Sequence, residues 1–95
     1  MRELLWSNTF RRALRRVVKR QPWLLDAITA TLTSLQKDPF APQLAAHKLK
    51  GPLAGTWACS AGYDLRIVFD FVRNPERGEE DDIFLIEIGT HDEVY

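Results

Sequence analysis

A single cysteine, Cys59, occurs in these 95 residues. That rules out an intramolecular disulfide and any zinc site built on several cysteines. Long apolar runs are also missing, and no stretch approaches the roughly 20 residues that span a bilayer. No apolar segment follows the first basic residues, as a secretory leader would require. A cytoplasmic protein with no membrane partner is expected. Repeats, low-complexity tracts and linkers are lacking too. What remains is 45% hydrophobic and 27% charged, the composition of one ordinary globular domain covering residues 1–95.

The formal net charge is zero, but the two signs are segregated. Residues 1–20 hold seven basic side chains against Glu3, and residues 74–95 hold eight acidic ones against Arg77. Such asymmetry points to a polyanion or a charged protein partner.

Leu4, Leu5 and Trp6 read as a short edge strand, and Ser7 or Asn8 suits the start of a helix. Phe10, Ala13, Leu14, Val17 and Val18 recur at helical spacing, while Arg11, Arg12, Arg15, Arg16, Lys19 and Arg20 take the other face. This basic face is a solvated surface, a docking surface for an acidic partner, or a phosphate-facing one. Gln21-Pro22 breaks the helix and starts a second one, striped by Leu25, Ile28, Leu32 and Leu35. Asp38 to Pro42 ends it. Short strands and turns follow. His47 to Gly55 reads as a turn-rich connection, and Thr56 to Ser60 as a strand. Tyr63 to Val72 alternates most strongly, and Ile83 to Thr90 is the last strand. The order β-α-α-β-β-β predicts an α+β domain, with an N-terminal edge strand and a helical hairpin packed on a small antiparallel sheet.

Alternation also places the polar groups. Tyr63, Leu65, Ile67, Phe69 and Phe71 should face the core, leaving Asp64, Arg66 and Asp70 on the opposite face. In the last strand the bulkier set, Phe84, Ile86 and Ile88, should join the core, leaving Glu87 and Gly89 beside Arg66. An Arg66–Glu87 cross-strand ion pair is then expected on an open polar face that leads into His91. Imidazole is the side chain most easily tuned to exchange protons near neutral pH. Cys59 reads as a small buried residue, and Trp6 and Trp23 as core or interface anchors.

Three segments, His47 to Trp57, Gly62 to Phe69 and Ile88 to Tyr95, resemble the RelE/ParE toxin superfamily, most nearly its YafQ-type branch. The resemblance extends over nearly the whole chain, since the two preceding helices also fit. It implies the RelE-like fold and a type II toxin that cleaves mRNA, usually on the ribosome. A cognate antitoxin protein is implied as partner, and neither metal nor cofactor. By the same resemblance His91 matches the C-terminal histidine and is assigned the general acid. His47 and Asp64 match the upstream histidine and the strand aspartate, one serving as base or orienting it. Tyr95 matches the terminal aromatic that positions a nucleobase, and Lys48, Lys50 and Arg66 are the phosphate-facing cations.

Two positions depart from the branch pattern. Ser60 stands where it has another histidine, and Glu87 where it has an arginine. These departures keep open a ParE-like toxin that inhibits DNA gyrase without nuclease activity, or an inactive homologue that only binds a partner.

Overall fold

Strand β1 (Leu4–Trp6) runs into Ser7, which caps helix α1 (Asn8–Arg20). In this computed structural model, which describes residues 2–51, 54–62, 64–78 and 80–94, the Ser7 hydroxyl accepts the Phe10 N–H at 2.9 Å. One of the amide donors that a helix start leaves open is thereby satisfied. The same hydroxyl donates to the Ile86 carbonyl at 3.1 Å, so the cap also ties the helix to the last strand. Phe10 and Ala13 are buried, whereas Arg11, Arg12, Arg15, Arg16, Lys19 and Arg20 are all exposed.

Gln21 ends α1, and a 3-10 turn at Pro22–Leu24 leads into α2 (Leu25–Lys37). Proline suits that first turn because its missing N–H would have had no partner there. Ile28, Leu32 and Leu35 point into the core, while Leu25, the first member of the expected stripe, is largely exposed. Four strands follow: β2 (His47–Lys48), β3 (Trp57–Ser60), β4 (Leu65–Val72) and β5 (Asp82–Thr90). A one-turn helix, α3 (His91–Val94), comes after them.

The sheet order is β1-β5-β4-β3-β2. The expected α+β architecture is present, with β1 as an edge strand. β1 lies parallel to β5, Leu4 opposite Ile83, while the other pairings are antiparallel, so the sheet is mixed. Its attachment is polar as well as laddered. Buried Asp82 accepts the Glu3 N–H and the Asn74 side-chain amide, each at 2.9 Å. The core joins Ile67, Phe69, Ile83, Leu85 and Ile88 to Phe10, Ala13, Ile28, Leu32 and Leu35.

The alternation expected in the last strand holds only at its end. Ile88 is buried, but so are Ile83 and Leu85, while Phe84 is 37% exposed. A bulge explains the switch. Val68 pairs with Glu87 and Phe69 with Leu85, which leaves Ile86 as an extra residue. One inserted residue exchanges the two faces of every position beyond it.

Candidate active site

β5 delivers its last residues to one end of the sheet, where Thr90 stops the strand and starts α3. Thr90 and Glu93 form a reciprocal cap. The Glu93 Oε1 accepts the Thr90 N–H at 2.9 Å, and the Thr90 Oγ1 accepts the Glu93 N–H at 3.3 Å. This is the capping-box pattern of a Thr followed three residues later by a Glu. Those two residue types at that spacing are the sequence signal for a helix too short to show any periodicity. The Thr90 N–H bond, and after it Arg20 and Arg16, hold the Glu93 carboxyl below its ordinary pKa.

α3 folds back over β4 and β5. Gly89 makes room for it, because a Cβ there would lie 3.1 Å from the Glu93 Cβ and 3.2 Å from the Val94 Cγ1. Val94 is buried, and so are Ala58 and Val68 on the face away from the larger helices. The face expected to be open and polar is therefore partly covered. Its polar groups lie around this cover.

His91 is the first residue of α3, its side chain 56% exposed, with Nδ1 3.6 Å from the Asp92 Oδ1. Its backbone N–H donates to the Asp64 carbonyl at 3.2 Å, which carries the β4–β5 ladder one step past Thr90 and brings His91 and Asp64 together. Asp64 borders a cavity of about 310 Å³ lined with Gln21, Trp23, Leu24, Leu65 and Thr90. Trp23 is 71% exposed at this rim, so of its two expected roles only a surface one fits.

Arg66 lies opposite Gly89, not Glu87. Its Nη1 donates to the Leu65 carbonyl at 3.1 Å and to the Ser60 Oγ at 3.5 Å. Ser60 thus helps to orient the guanidinium, whose remaining N–H donors are on other nitrogens. Glu87 bonds back to its own strand, accepting the Ile88 N–H at 3.3 Å. The expected Arg66–Glu87 ion pair does not form, because the register puts them on a diagonal.

His47 shares this face but lies on the other edge. It pairs with Ala58, which pairs with Val68, which pairs with Glu87. Three strand spacings, roughly 14 Å, separate His47 from β5. Its Nδ1 lies 3.1 Å from the Ala45 carbonyl. Lys48, one residue on, must face the other way, and its Nζ sits 5.8 Å above the Trp57 ring, beside Phe40 and Phe71. It does not converge with His47 and Arg66. Lys50 is exposed in the loop closed by the Leu49–Thr56 backbone bond. Tyr95 lies outside the described residues, as does Tyr63, the first residue of the expected long strand.

Cys59 is fully buried, and burial pushes its thiol up to about 12, against a smaller downward pull from Arg66. A thiol so protonated is no nucleophile at neutral pH. Among the described residues no three His, Cys, Asp or Glu side chains are grouped to hold a metal ion, and no helix is long and apolar enough to cross a membrane.

This arrangement, a short N-terminal strand and two helices on a mixed sheet whose last strand leads into a one-turn helix, is the fold of the RelE/ParE toxin superfamily. Solved structures of such toxins superpose along essentially the whole chain. A metal-bound toxin from Helicobacter pylori is 29% identical, covering 100% of both chains at a TM-score of 0.67. YafQ from E. coli is 14% identical at a TM-score of 0.77, covering 100% of this chain and 99% of its own. It has also been solved as the DinJ–YafQ complex. The YoeB/ParE toxin from Agrobacterium tumefaciens is 20% identical at a TM-score of 0.74, over 94% of this chain and 98% of its own. No protein-family model matches the chain, and neither does any curated protein sequence.

Proposed function

We propose that this chain is the toxin of a type II toxin–antitoxin pair, and that it cleaves mRNA at the His91 end of the sheet by acid–base chemistry of its own side chains. The observation that carries the reading is the backbone bond that sets His91 beside Asp64, a residue lining a cavity, on a fold that solved toxins share from end to end.

In this mechanism a base removes the ribose 2′-OH proton and the 2′-oxygen attacks the adjacent phosphorus. The P–O5′ bond breaks, and the His91 imidazolium protonates the departing 5′-oxygen. The products are a 2′,3′-cyclic phosphate and a 5′-hydroxyl end. Asp64, set opposite His91 by the backbone bond that extends the ladder, takes the proton. His47, three strands away on the same face, contacts the RNA further along. Arg66, oriented by Ser60, stabilises charge on the phosphate, where a preset cation contributes most. Tyr95 stacks on a nucleobase, and Lys50 adds a peripheral positive charge. The antitoxin covers this end of the sheet and blocks access to His91, a role supported by the existence of the DinJ–YafQ complex. The ribosome supplies the mRNA in its translated form.

The test is cleavage of mRNA by purified protein, free and in translating ribosomes, with the ends of the fragments analysed. Cyclic phosphate ends support the reading, and a folded wild-type protein that cuts in neither setting overturns it. A second reading, a gyrase-inhibiting toxin of the ParE kind, is favoured by Glu87 standing half-buried where a cation would be expected. Inhibition of supercoiling that survives His47→Ala and His91→Ala would establish that reading instead.

A further inference from the structure

We infer that one flank of α1, together with Trp23, forms a groove that binds single-stranded RNA and leads it to His91. The inference rests on the ribonuclease reading for its destination, but its observations are separate from the catalytic groups.

The six cations of α1 form two rows, because residues four apart stack along a helix. Arg11, Arg15 and Lys19 make one row, and Arg12, Arg16 and Arg20 the other. Each row is roughly 12 Å long, eight residues at 1.5 Å each. All six side chains are exposed, and none forms an ion pair among the described residues. Four like-charged neighbours at i, i+4 spacing oppose the helix rather than support it. Such a face is poorly explained by stability.

The two rows lie on opposite flanks and meet different surroundings. Arg11 lies 5.9 Å above the Trp6 ring, toward the β1 edge. Arg16 and Arg20 line a cavity of about 140 Å³ between α1 and α3, together with Gln21, Leu65, Thr90 and Glu93. The Asp64 cavity shares Gln21, Leu65 and Thr90 with it and has the exposed Trp23 on its rim. A path therefore runs from Arg12 through Arg16 and Arg20, past Trp23, to Asp64 and His91. Glu93, engaged by the Thr90 N–H, and Asp64 at the end of the path add two carboxylates, against three guanidiniums.

A cationic track beside an exposed aromatic ring is the combination that binds single-stranded nucleic acid. Guanidinium forks match phosphate oxygens, and an indole face accepts any base. An acidic peptide would use the arginines but would leave Trp23 without a function. The path also ends at the groups that would cut a bound strand. Those two features favour RNA over an acidic partner.

The experiment measures affinity of the full chain for a short all-deoxyribose single strand, which lacks the 2′-OH nucleophile, across a range of salt concentrations. The triple variant R12Q/R16Q/R20Q should lower the slope of log affinity against log salt by about 2, given about 0.7 per phosphate contact. Trp23→Ala should weaken binding on the order of 10-fold with an unchanged slope. The control R11Q/R15Q/K19Q removes the same charge and should retain most of the slope. Equal effects of the two triples overturn the proposal, as does wild-type protein that does not bind. So does a first triple that binds the oligonucleotide normally but loses affinity for polyglutamate. Cleavage of mRNA by wild type, measured alongside, separates the two failures. Cutting without flank-specific binding overturns only the groove, and flank-specific binding without cutting overturns only the nuclease.

Discussion

His91 is exposed, so replacing it should separate chemistry from folding. His91→Ala is expected to slow mRNA cleavage on the order of 10²-fold or more, the usual contribution of a general acid. Stability should stay within about 0.5 kcal/mol of wild type, as for other surface changes, and urea titration beside the cleavage assay checks both. Cys59 behaves in the opposite way. It is fully buried and its thiol is held protonated, so a thiol reagent at pH 8 should leave it unmodified until denaturant is added. The folded thiol binds its proton more tightly than the unfolded one. Its contribution is therefore complete below pH 9 and is lost as pH rises from about 9 to about 12. Alkaline melts of wild type and Cys59→Ala should diverge over that interval. Burial of Cys59 was readable because no residue at a fitting spacing pairs with it for chemistry, which leaves a small residue in a strand. The indifference of Lys48 to the His47 face was not, because it follows from a two-residue strand that turn-rich surroundings concealed.

At the scale of elements, α3 is the piece on which the site depends. Gly89→Ala would push against the Glu93 Cβ and Val94 Cγ1 at 3.1 and 3.2 Å. α3 must then shift by a few tenths of an ångström, carrying His91 with it. We expect cleavage to fall while substrate binding, held by α1, changes little, which a kcat against KM comparison would resolve. Thr90→Ala removes the cap, at a cost of about 0.5–2 kcal/mol to the helix start. Amide exchange at residues 91–94 should speed up selectively. Glu93 titrates with the opposite sign to Cys59. Its lowered pKa means the capping bond's contribution is complete above the ordinary carboxyl range and is lost as pH falls below that range, through the lowered pKa. A pH titration followed by those same amides checks this sign.

The whole molecule is closed by contacts between its two ends. Ser7 reaches Ile86 and Glu3 reaches Asp82, each 79 residues away in sequence. Asp82→Ala would leave the Glu3 N–H and the Asn74 amide without their carboxylate, and we expect about 1–3 kcal/mol of destabilisation. In a domain of this size that corresponds to a fall in Tm of several degrees. The signature would be early exchange of the Leu4–Trp6 amides, since β1 depends on this attachment. A loss distributed evenly over the core strands would contradict it.

The sequence by itself determined the two helices, the strands β3 to β5 and the basic face of α1, and narrowed the cap to Ser7 or Asn8. Each of these is written in residues that are neighbours along the chain, at periods of 3.6 or 2. It also placed Arg66, Glu87 and Gly89 on one face, because they lie on the same side of the bulge. The tertiary structure decided the rest. The parallel entry of β1, the extra residue at Ile86, the folding of α3 over Gly89 and the flank of α1 that meets it all depend on contacts across the sheet. No local pattern carries a register, and one inserted residue is enough to turn Phe84 outward and Leu85 in.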